Sequence, residues 1–170
     1  GRRPSSGSLI PYGLILCIIL HKTPFNREKP RKGMQMTAVQ DEALALVKFD
    51  DKGLVPAIAQ QHDTGEVLMM AWMSRESVAE TLATGRVCYF SRSRGALWRK
   101  GESSGQQQRL VELRLDCDGD TVLLLVDQLG VACHTGRRDC FFRAARDGQL
   151  VEIASPLVSP EQLYGHGHSH

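Results

Sequence analysis

The amino-acid sequence predicts a single α+β domain, built mostly from antiparallel sheet with hairpins and at least one helix. Three observations favour this fold class. Several short runs alternate apolar and polar residues, which is the spacing of strands with one buried face. Turn residues such as Asp118-Gly119 separate these runs, where hairpin turns are expected. One segment instead has helical spacing and lies between a good N-cap residue and a glycine.

The first two strands are predicted to form a hairpin. The runs 54–60 (LVPAIAQ) and 66–72 (EVLMMAW) flank a turn in which Asp63 and Gly65 fit well. Pro56 has no backbone N–H, so we expect it near the start or at the edge of its strand.

A helix is predicted directly after this hairpin. Ser74 is a suitable N-cap, and Glu76 favours the positive first turn. Val78 and Leu82 repeat at i and i+4 on the apolar side, and Gly85 ends the helix.

The later strands are predicted from alternation. In the run RLVELRLDC, one face is expected to carry Val111, Leu113, Leu115 and Cys117, whereas Leu110 is out of step. A polar, glycine-containing stretch at 92–108 carries no predicted strand. The other strands are expected at 87–91, 109–117, 121–128 and 140–146.

Length and charge narrow the possible functions. The chain has 170 residues, 42% hydrophobic and 24% charged, which is enough for one compact domain but not for a large multidomain enzyme. The net charge of +2 is distributed unevenly along the chain. Residues 1–36 carry seven Lys or Arg and one acidic residue, whereas residues 37–170 carry fourteen Lys or Arg and eighteen acidic residues. The mildly acidic part disfavours nucleic acid as a partner, since it attracts a polyanion weakly.

The ends of the chain are expected to lie outside the domain. The predicted divisions are a doubtful or disordered leader, one domain and a flexible His-rich tail, at residues 1–36, 37–157 and 158–170. An apolar run at 9–20 in the leader is too short to cross a bilayer. We interpret the leader as sequence upstream of a start at Met34 or Met36, with a targeting segment as the alternative. The expected location is therefore the cytoplasm, without membrane contact.

The five cysteines favour a metal site. Cys88 lies within a strand and is expected to be a buried thiol, and Cys17 lies in the leader. Cys117, Cys133 and Cys140 stand at strand ends or in loops beside charged residues. A disulfide would leave an odd thiol in a chain without a clear export signal, so three thiolates around zinc fit better. Three protein ligands leave the fourth position to water, as in catalytic zinc sites.

Three aspartates surround the first of these cysteines in the sequence DCDGD. Asp116, Asp118 and Asp120 offer the oxygen ligands that magnesium prefers, but a solvated hairpin tip has the same composition. Because neighbours on a strand face opposite sides, Cys117 points away from Asp116 and Asp118. The thiol could therefore look towards a second subunit.

A basic segment predicts contacts to a small phosphorylated substrate, because guanidinium and ammonium groups suit phosphate oxygens. Trp98 within it could stack on a base or belong to the core. The candidate substrate-binding residues are Arg92, Arg94, Trp98, Arg99, Lys100 and, from the second cysteine loop, Arg137.

These motifs together resemble the phosphoribosyl-AMP cyclohydrolase family of histidine biosynthesis. The resemblance rests on TGRVCYFSRSRGALWRKGESSGQ, RLDCDGDTVLLLV and ACHTGRRDCFFR, and extends from about Phe49 to Arg143. It implies a homodimeric hydrolase, dependent on zinc and magnesium, that opens the adenine ring of 1-(5-phosphoribosyl)-AMP between N1 and C6. Many relatives have SGH where this sequence has SGQ, so Gln106 is a departure that cannot carry a proton at neutral pH.

The resemblance also implies residue roles. His134 corresponds to the expected general base. Cys117, Cys133 and Cys140 correspond to the zinc ligands, with Cys117 reaching the partner's site, and Asp116, Asp118 and Asp120 correspond to the magnesium ligands. The alternative is a non-enzymatic binding module in which zinc only staples the fold.

Overall fold

The computed structural model describes residues 37–165, so the predictions for the leader and for the final histidines (166–170) lie outside it. The helices in this range are α1 (Ala38–Leu46), α2 (Arg75–Thr84) and α3 (Pro160–Tyr164). The strands are β1 (Leu54–Gln61), β2 (Val67–Ser74), β3 (Cys88–Ser91), β4 (Ala96–Arg99), β5 (Gln108–Leu115), β6 (Val122–Gln128), β7 (Arg143–Arg146) and β8 (Gln149–Glu152). None of the helices in the described range is long and apolar enough to span a bilayer.

The predicted α+β class is confirmed. Six strands form one sheet in the order β4-β3-β2-β1-β6-β5, and every neighbouring pair is antiparallel except β1 and β6, which are parallel. The remaining strands, β7 and β8, form a separate antiparallel pair. An isolated β-bridge joins Arg86, just before β3, to Arg109 on β5. The sheet therefore curls until the start of β3 meets the edge strand β5.

The hairpins and the helix predicted first are confirmed. Strands β1 and β2 pair as expected, and so do β5 and β6 across the Asp-Gly turn. The Ser74 hydroxyl accepts a hydrogen bond from the Ser77 N–H at the start of α2, and Gly85 ends the helix with φ 69°. Pro56 lies on an interior strand, but pairing with β6 begins only at Ala57, so its missing N–H removes no bond there.

One face of the six-stranded sheet forms the core. Its buried residues include Val55, Ala57 and Ala59 on β1 and Val122 and Leu124 on β6, all fully buried. Helix α2 adds Val78 to the same hydrophobic cluster. This face fixes the register of β5, because a slip by one residue would replace Leu113 and Leu115, which pack against the core, by Glu112 and Arg114.

The opposite side of the sheet, here called the second face, is also apolar but remains open. Ile58 on β1 is paired with Met70 on β2 and with Leu123 on β6, which sets these three side chains on one side. By the same registers the apolar residues of the second face are Pro56, Ile58, Met70, Trp72, Phe90, Leu123 and Leu125, and Glu112 and Arg114 on β5 lie on the same side. Each of them is half-buried or exposed, in contrast to the core face.

Two strand predictions are wrong in detail. A β-bulge between Leu110 and Glu112 places Val111 outside the alternation: Val111 is 55% exposed, whereas Leu110 packs against the core. The last strand, expected at 140–146, spans only Arg143–Arg146, so Cys140 stands in the preceding loop.

Four elements were not predicted from the sequence: α1, α3, β4 and β8. Helix α1 begins with a capping box in which Thr37 and Gln40 exchange hydrogen bonds, and α3 begins in the same way. Strand β4 lies in the polar stretch after β3, where Gly95 at φ 62° allows a tight hairpin.

Candidate functional site

The three aspartates of the β5–β6 turn form one cluster. Their carboxylate oxygens lie within 4.8 Å of one another, and all three side chains are exposed. Gly119 shapes the turn, since its φ is +80° and a Cβ at this position would lie 2.5 Å from the Leu46 carbonyl oxygen. The Gly119 carbonyl in turn accepts a hydrogen bond of 2.7 Å from the Lys48 N–H. The segment after α1 therefore holds this turn in place.

The cluster is suited to a divalent cation of the hard, oxygen-binding kind. Burial raises the pKa of Asp116, but hydrogen bonds from the Thr121 backbone and from neighbours in the turn outweigh it, and the pKa of Asp116 is lowered overall. The Thr121 N–H donates to Asp116 Oδ1 at 3.1 Å. A carboxylate that stays ionised beside two others attracts magnesium or calcium.

Two of the cysteines lie together at another point of the chain. Cys133 is buried in the loop after β6, where its Sγ lies 3.0 Å from Thr135 Oγ1. The Cys140 N–H donates to the Leu68 carbonyl at 2.8 Å, which fixes the second cysteine against the start of β2. Cys140 is exposed as a residue, but partial burial of its thiol raises the pKa to about 12, and the adjacent Cys133 thiol adds to this effect. Paired sulfurs are soft donors that suit zinc, and coordination would deprotonate them.

The third cysteine does not join this pair within one chain. Cys117 lies in the aspartate turn, exposed, with its Sγ 3.9 Å from Asp118 Oδ1. Strand β6 separates it from Cys133, and seven residues of strand span roughly 20 Å. Among residues 37–165 the three aspartates are the only group of three or more His, Cys, Asp or Glu residues whose ligand atoms lie within 4.8 Å of one another. One chain therefore places two of the predicted zinc ligands, Cys133 and Cys140, in one location and the third, Cys117, in another.

A buried lysine lies beside the cysteine pair. Lys100 is 6% exposed, and its Nζ donates to the Ala132 carbonyl at 2.6 Å. The Trp98 ring lies 5.7 Å from the same nitrogen. Burial lowers the pKa of Lys100, while Cys140 and Cys133 act in the opposite direction. The lysine predicted to bind phosphate therefore points into the protein next to the thiols.

A chain of hydrogen bonds between polar residues that were not predicted as functional stabilises the loop that carries Cys133. The fully buried Tyr89 hydroxyl donates to Gln108 Oε1 at 2.7 Å, and Gln108 Nε2 donates to Gln128 Oε1 at 2.9 Å. Gln128 Nε2 then donates to the Leu129 carbonyl at 2.7 Å, at the start of the loop that carries Cys133. Glutamines within otherwise apolar strands were the available signal.

Gln106 braces the same loop. Its Oε1 accepts a hydrogen bond of 2.9 Å from the Val131 N–H, and its Nε2 donates to the Ser104 carbonyl at 3.2 Å. The side chain lies directly over Gly130, where a Cβ would collide with Oε1. This position therefore has a defined structural role in the present chain.

The other basic residues divide into two groups. Arg92 lies over the Trp72 ring at 4.8 Å and lines an open groove of about 670 Å³ together with Lys52, Leu54, Phe90 and Ser93. Arg94 is exposed next to it and its Nε donates to Ser91 Oγ.

The second group is held by the protein itself. Arg99 forms a two-pronged ion pair with Glu80, and Arg137 pairs with Glu152 at 2.7 Å while it stacks on Phe142. Trp98 packs on Tyr89, 5.6 Å between ring centres, and contributes to the core. His134 is exposed and directly follows Cys133.

The part of the chain that contains these candidate residues is similar to known proteins. The family described as phosphoribosyl-AMP cyclohydrolase matches residues 69–142, which contain all the metal-ligand candidates and His134. A protein named phosphoribosyl-AMP cyclohydrolase from Paramagnetospirillum magneticum is 72% identical over 130 residues, covering 76% of this chain and 98% of the relative. Relatives of the same name from Rhodospirillum centenum and Rhodospirillum rubrum are 70% and 64% identical, over 77% and 81% of this chain and 98% and 99% of theirs.

Proposed function

The chain belongs to the phosphoribosyl-AMP cyclohydrolase family, and from this premise we propose that it opens the adenine ring of 1-(5-phosphoribosyl)-AMP by hydrolysis between N1 and C6. This reaction is a step of histidine biosynthesis. The observation that carries the proposal is the match of 64–72% identity over nearly the full length of these relatives. The cysteine pair and the aspartate cluster support it, because they offer the two kinds of metal site that the reaction needs.

The donor sets fit two different metals. The Cys133 and Cys140 sulfurs, with Cys117 of a second copy, would hold zinc, and the aspartate cluster would hold magnesium. When bound, zinc supplies a Lewis acid that makes water nucleophilic near neutral pH, and magnesium supplies positive charge for substrate phosphate.

His134 is proposed as the general base. The residue is exposed beside Cys133, so its imidazole is open to a substrate over the cysteine loop. It would take the proton from the water that attacks C6 and deliver a proton to N1 as the C6–N1 bond breaks. The water oxygen remains on C6 as the carboxamide oxygen, one of its protons ends on N1 and the other ends on the exocyclic nitrogen of C6, so the hydrolysis balances.

A homodimer is the second part of the proposal. The second face leaves seven apolar side chains partly exposed across β1, β2, β3 and β6, which is typical of a surface covered by another chain. Cys117 is exposed at the end of the adjacent β5 strand. A second copy packed on this side would both cover the apolar residues and supply the third sulfur to a zinc site.

Substrate phosphate is proposed to bind at the groove beside Arg92. Arg94 is exposed next to it, and neither side chain forms a salt bridge to a carboxylate among the described residues. Arg99 and Arg137 are less suited to this role, because each is engaged by a glutamate. Binding of a small phosphorylated nucleotide thus depends first on Arg92 and Arg94.

Turnover of phosphoribosyl-AMP, followed by absorbance on the full chain, tests the function. We expect activity that disappears when zinc is removed and returns when zinc is restored, while the fold largely persists. A zinc-stapled binding module would instead unfold on chelation and show no turnover with zinc present. That result would contradict the proposal.

A further inference from the structure

Lys100 is a buried cation that has no acidic partner among residues 37–165. The salt bridges within residues 37–165 all involve arginines, and Lys100 takes part in none of them. Its one recorded hydrogen bond goes to the uncharged Ala132 carbonyl. Burial of an unpaired ammonium is strongly unfavourable, so such a group points to an anion that is present in the working protein.

The groups that can supply this anion are the neighbouring thiols. Cys133 is buried together with Lys100, at 4% and 6% exposure. The hydrogen bond to Ala132 fixes the ammonium to the residue that immediately precedes Cys133. The centre of the Trp98 ring lies 5.7 Å from the same nitrogen.

We propose that Lys100 is the positioning counter-charge of the metal-bound thiolate pair, rather than a ligand for substrate phosphate. The proposal rests on the zinc site of the proposed function. Three thiolates and one divalent zinc ion carry a net charge of −1, which the ammonium of Lys100 neutralises. Because Lys100 and Cys133 are themselves buried, the negative site and the ammonium stabilise each other, so Lys100 increases the affinity of the site for zinc.

Three variants separate the charge of Lys100 from its hydrogen bond. Lys100→Met removes both, Lys100→Gln removes the charge but keeps an N–H donor, and Lys100→Arg keeps the charge. Arg146→Met is the matched control, because it removes a positive charge from an exposed position on β7, outside the proposed metal and phosphate sites. Zinc affinity of the full chain is measured by competition with a chelating dye, and thermal unfolding of the zinc-free forms checks that each variant is folded.

We expect the two neutral variants to bind zinc about 10- to 100-fold more weakly than the original chain, as is typical for residues that support metal ligands. Lys100→Arg and Arg146→Met should stay within about threefold of it. The zinc-free forms of all variants should unfold at similar temperatures, because the effect requires the metal.

Other outcomes overturn the inference. Equal zinc affinity in all variants with a raised KM in Lys100→Met would return Lys100 to phosphate binding. A loss in Lys100→Met that Lys100→Gln restores would make the residue a simple hydrogen-bond anchor. Absence of zinc binding by the original chain would instead contradict the zinc site itself, and this inference with it.

Discussion

Replacement of Gly119 by alanine tests how the aspartate turn is held. The φ of +80° is unfavourable for any residue with a Cβ, and the added carbon would lie 2.5 Å from the Leu46 carbonyl oxygen. The backbone term costs about 1 kcal/mol and the overpacking about 2 kcal/mol more. The hydrogen bond of 2.7 Å from the Lys48 N–H to the Gly119 carbonyl is expected to lengthen as the two segments move apart.

Gly53→Ala is the matched control. Gly53 has nearly the same φ, +72°, but no atom lies within 4 Å of the position of its Cβ. Its substitution should therefore cost only the backbone term, about 1 kcal/mol. At about 4 °C per kcal/mol, the melting temperature should fall by about 4 °C for Gly53→Ala and about 12 °C for Gly119→Ala.

Thermal and urea unfolding of the two variants measure this difference directly. Gly119→Ala should also weaken magnesium binding, because the carboxylates of Asp118 and Asp120 flank the distorted residue. Equal destabilisation by the two substitutions would refute the reasoning, since it would mean that the contact with Leu46 places no constraint on the turn.

Two further predictions concern the cysteine loop. Tyr89→Phe leaves Gln108 Oε1 without its buried donor and should lower the free energy of unfolding by about 1–3 kcal/mol, whereas Tyr164→Phe, at an exposed position, should change it little; urea titration distinguishes them. His134→Ala should keep a full complement of zinc, measured by metal analysis, but lose about 10²- to 10⁴-fold in turnover. Unchanged turnover would remove His134 from the reaction.

The sequence predicted those elements whose signals are local. Ser74 and Gly85 mark the two ends of α2 by their own side-chain and backbone preferences, and the Asp-Gly pair marks the β5–β6 turn. The bulge that moves Val111 outwards depends on how β5 fits β6, which alternation within one strand does not contain. Strand β4 has only four residues within a polar stretch and is stabilised by pairing with β3, so its own residues gave little indication.

The sequence predicted which residues are candidate metal ligands, but not how the fold places them relative to one another. The residue types of Cys133, Cys140 and the aspartate turn carry their chemistry in the sequence itself. The burial of Lys100 beside the thiols follows from the three-dimensional path of the loop after β4, and a lysine between charged residues looks exposed in a sequence. Strand parity predicted that Cys117 turns away from Asp116 and Asp118, but β5 ends at Leu115 and the Cys117 Sγ lies 3.9 Å from Asp118 Oδ1, so the alternation of a strand does not extend to this turn.

Mixing two inactive variants tests directly whether the zinc site of this cyclohydrolase is shared between two chains. Cys117→Ala and Cys133→Ala should each be inactive alone. After the subunits are mixed and allowed to exchange, half of the dimers carry one intact site, so about one quarter of the original activity should return. No recovery in a mixture shown to contain mixed dimers, or full activity of Cys117→Ala alone, would contradict the shared site.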